Sequence, residues 1–119
     1  MANTDVIENA QITNTFLGRE DHGIFTFVIT VSGESWGQGF GTFALDYYDK
    51  KTDKRMGWNN AIPLIASILD AVGVESWEEL KDKYCRVKRE GEWGYIRAIG
   101  HPVKNKWADT RDFIDGEKP

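Results

Sequence analysis

One stretch of this chain repeats its apolar residues at helical spacing, and it is flanked on both sides by segments that read as strands. Ile62, Ile65, Ile68, Leu69 and Val72 fall three or four residues apart. Asn59 or Asn60 is placed to cap the helix. Pro63 falls in the first turn, where a missing N–H is harmless. Gly73 stops the run, as glycine does after a C-cap. The chain is therefore a mixed one, with a helix inserted between two groups of strands.

Before the helix, VIENAQITNTFL (6–17) alternates loosely and is rich in Thr and Ile, which favours a strand. GREDHG (18–23) reads as a hairpin loop, IFTFVITV (24–31) as the clearest strand, SGES (32–35) as a turn, and WGQGFGTFALDYY (36–48) as a third strand. DKKTDKRMGW (49–58) reads as a charged loop. After the helix, Ser76 and Glu79 form a capping-box pattern that opens a short second helix over SWEELKDK (76–83). YCRVKRE (84–90) follows as a strand with Tyr84, Cys85 and Val87 as inward candidates. GEWG (91–94) is a turn, and YIRAIGHPV (95–103) is a fifth strand.

The order β-β-β-α-α-β-β is that of a five-stranded antiparallel OB-like barrel with a helical insertion, mainly β in an α+β class. A barrel also deals with exposed sheet edges. The rival is an open layer with one helix packed on a five-stranded sheet. Phe25, Phe27, Phe43 and Trp77 sit at apolar phases and belong to the expected core. A single domain is expected over 1–119, with its core at about 5–107 and a polar tail over 108–119. Around the start of that tail, Trp107, Phe113 and Ile114 are available to pack back, and the final DGEKP is expected to fray.

Length and composition agree with one soluble globular unit. The 119 residues suffice for one core but not for two domains and a linker. Hydrophobic residues make 40% and charged residues 29%, which argues against disorder. No apolar run approaches the roughly 20 residues of a membrane helix, and the N-terminus lacks the pattern of a secretory signal. A cytoplasmic location is the expectation. The single Cys85 leaves no internal disulfide and no cysteine-built zinc site.

The net charge of −4 argues against coating nucleic acid by bulk electrostatics. The charge is unevenly spread. Residues 1–49 carry one base, Arg19, against seven acids: Asp5, Glu8, Glu20, Asp21, Glu34, Asp46 and Asp49, a net of −6. Residues 81–106 carry eight bases (Lys81, Lys83, Arg86, Lys88, Arg89, Arg97, Lys104 and Lys106) against three acids, a net of +5. A local basic stripe can bind a polyanion within an acidic chain.

Chemistry-bearing motifs are sparse. Gly37, Gly39 and Gly41 lie in GQGFG, but the segment runs into a strand and matches neither the dinucleotide fingerprint nor the phosphate-loop spacing. It predicts a strand that bends sharply or passes close to another backbone. Its functional version is a flat surface for a base, with Trp36 or Phe40 beside it. His22 and His101 lie on different hairpins with no second ligand at metal spacing, so no metal and no cofactor are expected. Cys85 reads as a buried inert thiol, no serine sits in a nucleophile elbow, and Glu78–Glu79 lie on a solvated helix. No enzyme is expected. Aromatic residues are abundant, with five Trp, four Tyr and six Phe, and Trp36, Trp58, Trp93 and Trp107 sit in or beside loops and turns. Trp93 and Tyr95 interleave with Lys88, Arg89 and Arg97, the pattern of a surface that stacks bases and meets phosphates.

The segments EDHGIFTF (20–27), GQGFGTFALD (37–46), ILDAVGVESWEELKDKYCRV (68–87) and AIGHPVKNKW (98–107) together resemble a family of small proteins of phages and prophages. The resemblance covers most of residues 7–107. SGESWGQG departs from it, standing where the family tends to have a glycine-rich stretch. The resemblance supplies no catalytic residue. More distantly, the layout is similar to phage OB-type proteins associated with recombination and single-stranded DNA, a likeness of arrangement only.

The leading expectation is a non-enzymatic phage-type protein that binds single-stranded nucleic acid across hairpin 84–101 and the third strand. Lys83, Arg86, Lys88, Arg89 and Arg97 would meet phosphates, and Trp36, Trp93 and Tyr95 would stack bases. The alternative is a phage inhibitor of a host defence system, of the anti-CRISPR kind. It would bind a basic host protein through Asp5, Glu8, Glu20, Asp21, Glu34, Asp46 and Asp49. A third reading is sequestration of a small nucleotide at the glycine-rich strand. No membrane partner is expected.

Overall fold

The computed structural model describes residues 5–91 and 94–114, the side chain of Ile114 excepted. Strand β1 runs Asp5–Arg19 and is long enough to serve two neighbours. Its first half pairs antiparallel with β6 (Tyr84–Glu90) and its second half with β2 (Phe25–Ser32), with a register slip between Ile12 and Asn14 where it bends. In β2 the residues Phe27, Ile29 and Val31 are fully buried, the period-two pattern of a strand with one face in the core.

β3 (Gly37–Ala44) pairs with β2, and its glycine run does what the sequence predicts of it. Gly41 has φ +107°, and a Cβ there would lie 2.5 Å from the Phe27 ring and 2.8 Å from the Phe27 carbonyl oxygen. The strand bends where only glycine fits.

The predicted third strand, 36–48, is broken at Leu45, which is buried and donates its N–H to the Phe25 carbonyl at 2.7 Å. Beyond it, β4 (Asp46–Asp49) and β5 (Lys54–Gly57) form a separate antiparallel ribbon out of what the sequence presents as a charged loop. Every β5 residue is exposed, so no alternation of buried and solvated positions marks it.

Helix α1 spans Ala61–Val72 and ends on Gly73 in the left-handed conformation, φ +93°. It buries Leu64, Ile68, Ala71 and Val72. Asn60 precedes it but makes no capping bond, because its side-chain amide donates to the Phe113 carbonyl at 3.1 Å. The second helix is a single 3-10 turn, Trp77–Leu80, rather than an element reaching 83. The chain leaves it early because Asp82 N–H donates to Ile12 O at 2.7 Å and Ile12 N–H to Lys83 O at 2.8 Å, which ties the segment to β1.

β7 (Ile96–Gly100) pairs with β6, and a sixth strand, β8 (Trp107–Asp109), pairs with β7. Helix α2 (Arg111–Ile114) follows. The residues expected to trail away from 108 instead join the core: Ala108 is fully buried, Thr110 is buried, and Phe113 packs on the central cluster. The expected fraying of DGEKP concerns residues outside those described, as does the side chain of Ile114.

The result is a mainly β protein built on one six-stranded antiparallel sheet, order β3-β2-β1-β6-β7-β8. The expected closed five-stranded barrel is not formed among the described residues. The sheet curls until β3 approaches β7 without forming a ladder to it among the described residues, and Gln38 Nε2 donates at 3.4 Å to the carbonyl of Gly94 in the turn before β7. Inside the curl Phe27 meets Phe40, Phe43 and Trp77 edge to face at centroid separations of 5.9, 5.3 and 6.1 Å. Among the described residues, no helix is long and apolar enough to cross a membrane.

Candidate nucleic-acid interface

Strand β6 decides how the basic stripe is used. Cys85, Val87 and Arg89 are buried on the face toward the core, while Tyr84, Arg86, Lys88 and Glu90 project to the other face. Tyr84, an inward candidate from sequence, is 66% exposed because it shares the phase of Arg86 rather than that of Cys85. The cations that the sequence groups together are thus divided by the pleat.

On the outer face, Arg86 stands opposite Gly100, which stands opposite Trp107. The indole of Trp107 lies against Gly100, where a Cβ would be 2.5 Å from its Cε3. Arg86 Cζ and Lys88 Nζ sit over that ring, 5.0 and 4.2 Å from its centroid. Arg86 Nε donates to His101 O and its Nη2 to Lys104 O, both at 2.8 Å, while His101 Nδ1 accepts from the N–H groups of Val103 and Lys104. These bonds fix the turn that carries Lys104 beside the patch. Trp107 Nε1 donates to Asn105 Oδ1 at 3.1 Å.

A shallow cleft of about 470 Å³ continues from this patch, lined by Tyr84, Asn9, Gln11, Ser32 and Glu34 among others. Its walls offer an exposed phenol ring and several hydrogen-bonding side chains.

Two further cations of the expected site, Arg89 and Arg97, are engaged elsewhere. Arg89 is buried, bonded to Glu8 through Nη2 and stacked over Trp36 at 4.7 Å, and its Nε has no partner among the described residues. Trp36 in turn lies on Gly33, whose position admits no Cβ beside the indole. Arg97 is gripped by Asp5 and by Asp109, the latter at 3.0 Å. Burial works against its charged form, but the two carboxylates outweigh that and raise its pKa. Lys83 is exposed just before β6, and Tyr95 is 85% exposed at the start of β7. Trp93 lies outside the described residues. Arg89, Arg97 and Trp36 therefore do not join Arg86 and Lys88 on one surface, while Trp107, Lys104 and Tyr84, absent from the expected set, do. Only the pairing of β8 with β7 brings Trp107 there, and the sequence carries no period-two signal for a strand of three residues.

The acidic set is largely consumed as well. Asp5 and Glu8 hold Arg97 and Arg89, and the buried Asp46 holds Arg55 at 2.7 Å. Glu20 accepts from the His22 side chain at 3.0 Å and from the N–H groups of His22 and Ile24. The His22 bond and the Ile24 N–H hold its carboxyl below the usual range. Asp49 accepts from Lys51 N–H and Thr52 Oγ1. Asp21 and Glu34 are exposed. Cys85 is buried, and burial pushes its thiol up to about 12, leaving it protonated at neutral pH.

No protein-family model, curated protein or solved structure matches this chain.

Proposed function

We propose that the curled sheet is an OB-like half-barrel and that its outer face, across β8, β6 and β1, binds single-stranded nucleic acid. The OB-like reading is supported by β1 pairing with both β2 and β6, by the helix inserted before β6, and by the approach of β3 to β7. The binding reading rests on one observation above all: Arg86 and Lys88 flank the Trp107 ring on an open sheet face that continues to the exposed Tyr84. Lys88 has no carboxylate partner among the described residues, so its charge is available to a phosphate. Tyr84 supplies a stacking platform, and Asn9 and Gln11 supply groups for base edges.

Fluorescence anisotropy of a labelled 30-mer oligonucleotide tests the reading. With Arg86, Lys88 and Lys104 as phosphate contacts, log K falls with log salt at a slope of about −2, from roughly −0.7 per contact on single strands. Tyr84→Ala weakens binding about tenfold, the loss of one stacked base. A wild-type chain that fails to shift the oligonucleotide at low salt overturns the proposal.

A further inference from the structure

The β4–β5 ribbon, the first turns of α1 and the paired ends of β1 and β2 enclose a cavity of about 350 Å³ on another part of the molecule. Leu17, Phe25, Leu45, Met56, Trp58 and Ile62 give it an apolar lining. The volume falls at the lower end of the roughly 300–1,000 Å³ typical of small-molecule sites. Its charged side chains are three: Asp46, Arg55 and Arg19.

The charge at the mouth is what selects a ligand. Both oxygens of Asp46 are occupied, Oδ2 by the Phe25 N–H at 3.2 Å and by Arg55 Nε at 2.9 Å, and Oδ1 by Arg55 Nη2 at 2.7 Å. That acid and that base neutralise one another. Arg19 is exposed, lies over the Phe25 ring at 5.8 Å and meets no carboxylate among the described residues. Its sequence neighbour Glu20 turns both oxygens back into its own loop, onto His22 and Ile24, and the reach of its charge toward the cavity falls on Arg55. An apolar cavity with one unmatched guanidinium at its rim fits an apolar body ending in a carboxylate, whose two oxygens match the guanidinium fork.

We propose that this cavity binds a small hydrophobic carboxylate, its aliphatic or aromatic body among Leu17, Met56 and Trp58 and its head on Arg19. The proposal is independent of the nucleic-acid reading, because no residue of the outer-face patch lines the cavity.

Amide chemical-shift titration of the full chain with octanoate, 1-octanol and octylammonium tests it. Octanoate is expected to give saturable shifts confined to the cavity and to bind about tenfold more tightly than octanol, with octylammonium weakest. Arg19→Gln, a change at an exposed side chain, removes the advantage of octanoate over octanol. Ile62→Glu, at a position 76% exposed, weakens octanoate by placing a like charge at the mouth. Absence of saturable octanoate shifts overturns the proposal, as does an octanoate affinity unchanged by Arg19→Gln. A peptide ending in leucine that binds more tightly than octanoate replaces the free acid with a chain terminus and overturns it too.

Discussion

Lys88 and Arg89 are adjacent in the chain and each lies over an indole, yet the two sites are built in opposite ways. Arg89 faces inward, is buried, and is bonded to Glu8 beneath Trp36. Lys88 faces outward over Trp107, on a face where Arg86 and the exposed Tyr84 keep it company. A buried cation must carry its counter-charge with it, so Arg89 is committed to the fold. A cation on an open sheet face keeps its charge available at little cost to stability. The same pairing of base and tryptophan is thus structural on one side of β6 and open to a ligand on the other.

The sharpest way to break this comparison is to remove Arg89. Arg89→Ala leaves Glu8 without its partner at the core's edge, and the expected loss is about 2 kcal/mol, below the full buried-pair cost because Glu8 keeps 28% of its side-chain exposure. Urea denaturation measures it. Cys85, two positions from Val87 on the same buried face, reports the change independently. Its protonated, buried thiol reacts slowly with alkylating reagents in the native state, and Arg89→Ala speeds labelling about thirtyfold if reaction follows global opening. Unchanged stability would mean that Arg89 is not held as described.

Lys88→Glu probes the other side. Its stability is expected to stay within about 1 kcal/mol of the wild type, the size of an exposed cation–π contact. Oligonucleotide affinity falls at least about tenfold, since a phosphate contact becomes a repulsion. A variant that loses stability and keeps affinity would exchange the roles assigned to the two faces.

The smallest effect serves as a control lying in neither site. Glu79 accepts the N–H groups of Glu75 and Ser76 at 2.9 and 2.8 Å and the Ser76 hydroxyl, which holds its carboxyl below the usual range. A depressed carboxyl stabilises the fold above its unfolded pKa, and that contribution disappears as pH falls through the lower folded value. Glu79→Gln should therefore narrow the gap to the wild type on acidification, read as the difference between two thermal-denaturation series across the acid range. A gap that widens on acidification would contradict the bonding described. Neither indole site contains Glu79, so the series separates this contribution from theirs.

Much of the local structure was legible in the residues. The α1 pattern, Gly73 as its stop, the alternation of β2 and the bend at the glycine run all follow from constraints within a few positions of one another. The departures from the sequence pattern have separate causes. Tyr84 was out of phase with Cys85 and Val87, which are two residues apart and must share a face. β5 has no buried side chain, and β8 is three residues long, so neither leaves a periodic trace. The capping pattern at Ser76 and Glu79 marked a turn correctly but not its length, which the bonds between Ile12 and residues 82–83 cut short.

What the amino-acid order determined by itself was the kind and sequence of elements, because helix spacing, strand alternation and glycine stops act over short stretches of backbone. What each cation meets, and whether the sheet closes, depended on pairings between residues as far apart as Glu8 and Arg89 or Gln38 and Gly94. Strand alternation by itself sets Arg89 with Cys85 and Val87 and puts Arg86 and Lys88 on the opposite face, but the neighbours each face meets, Glu8 and Trp36 on one side and Trp107 on the other, are fixed only once the strands have paired.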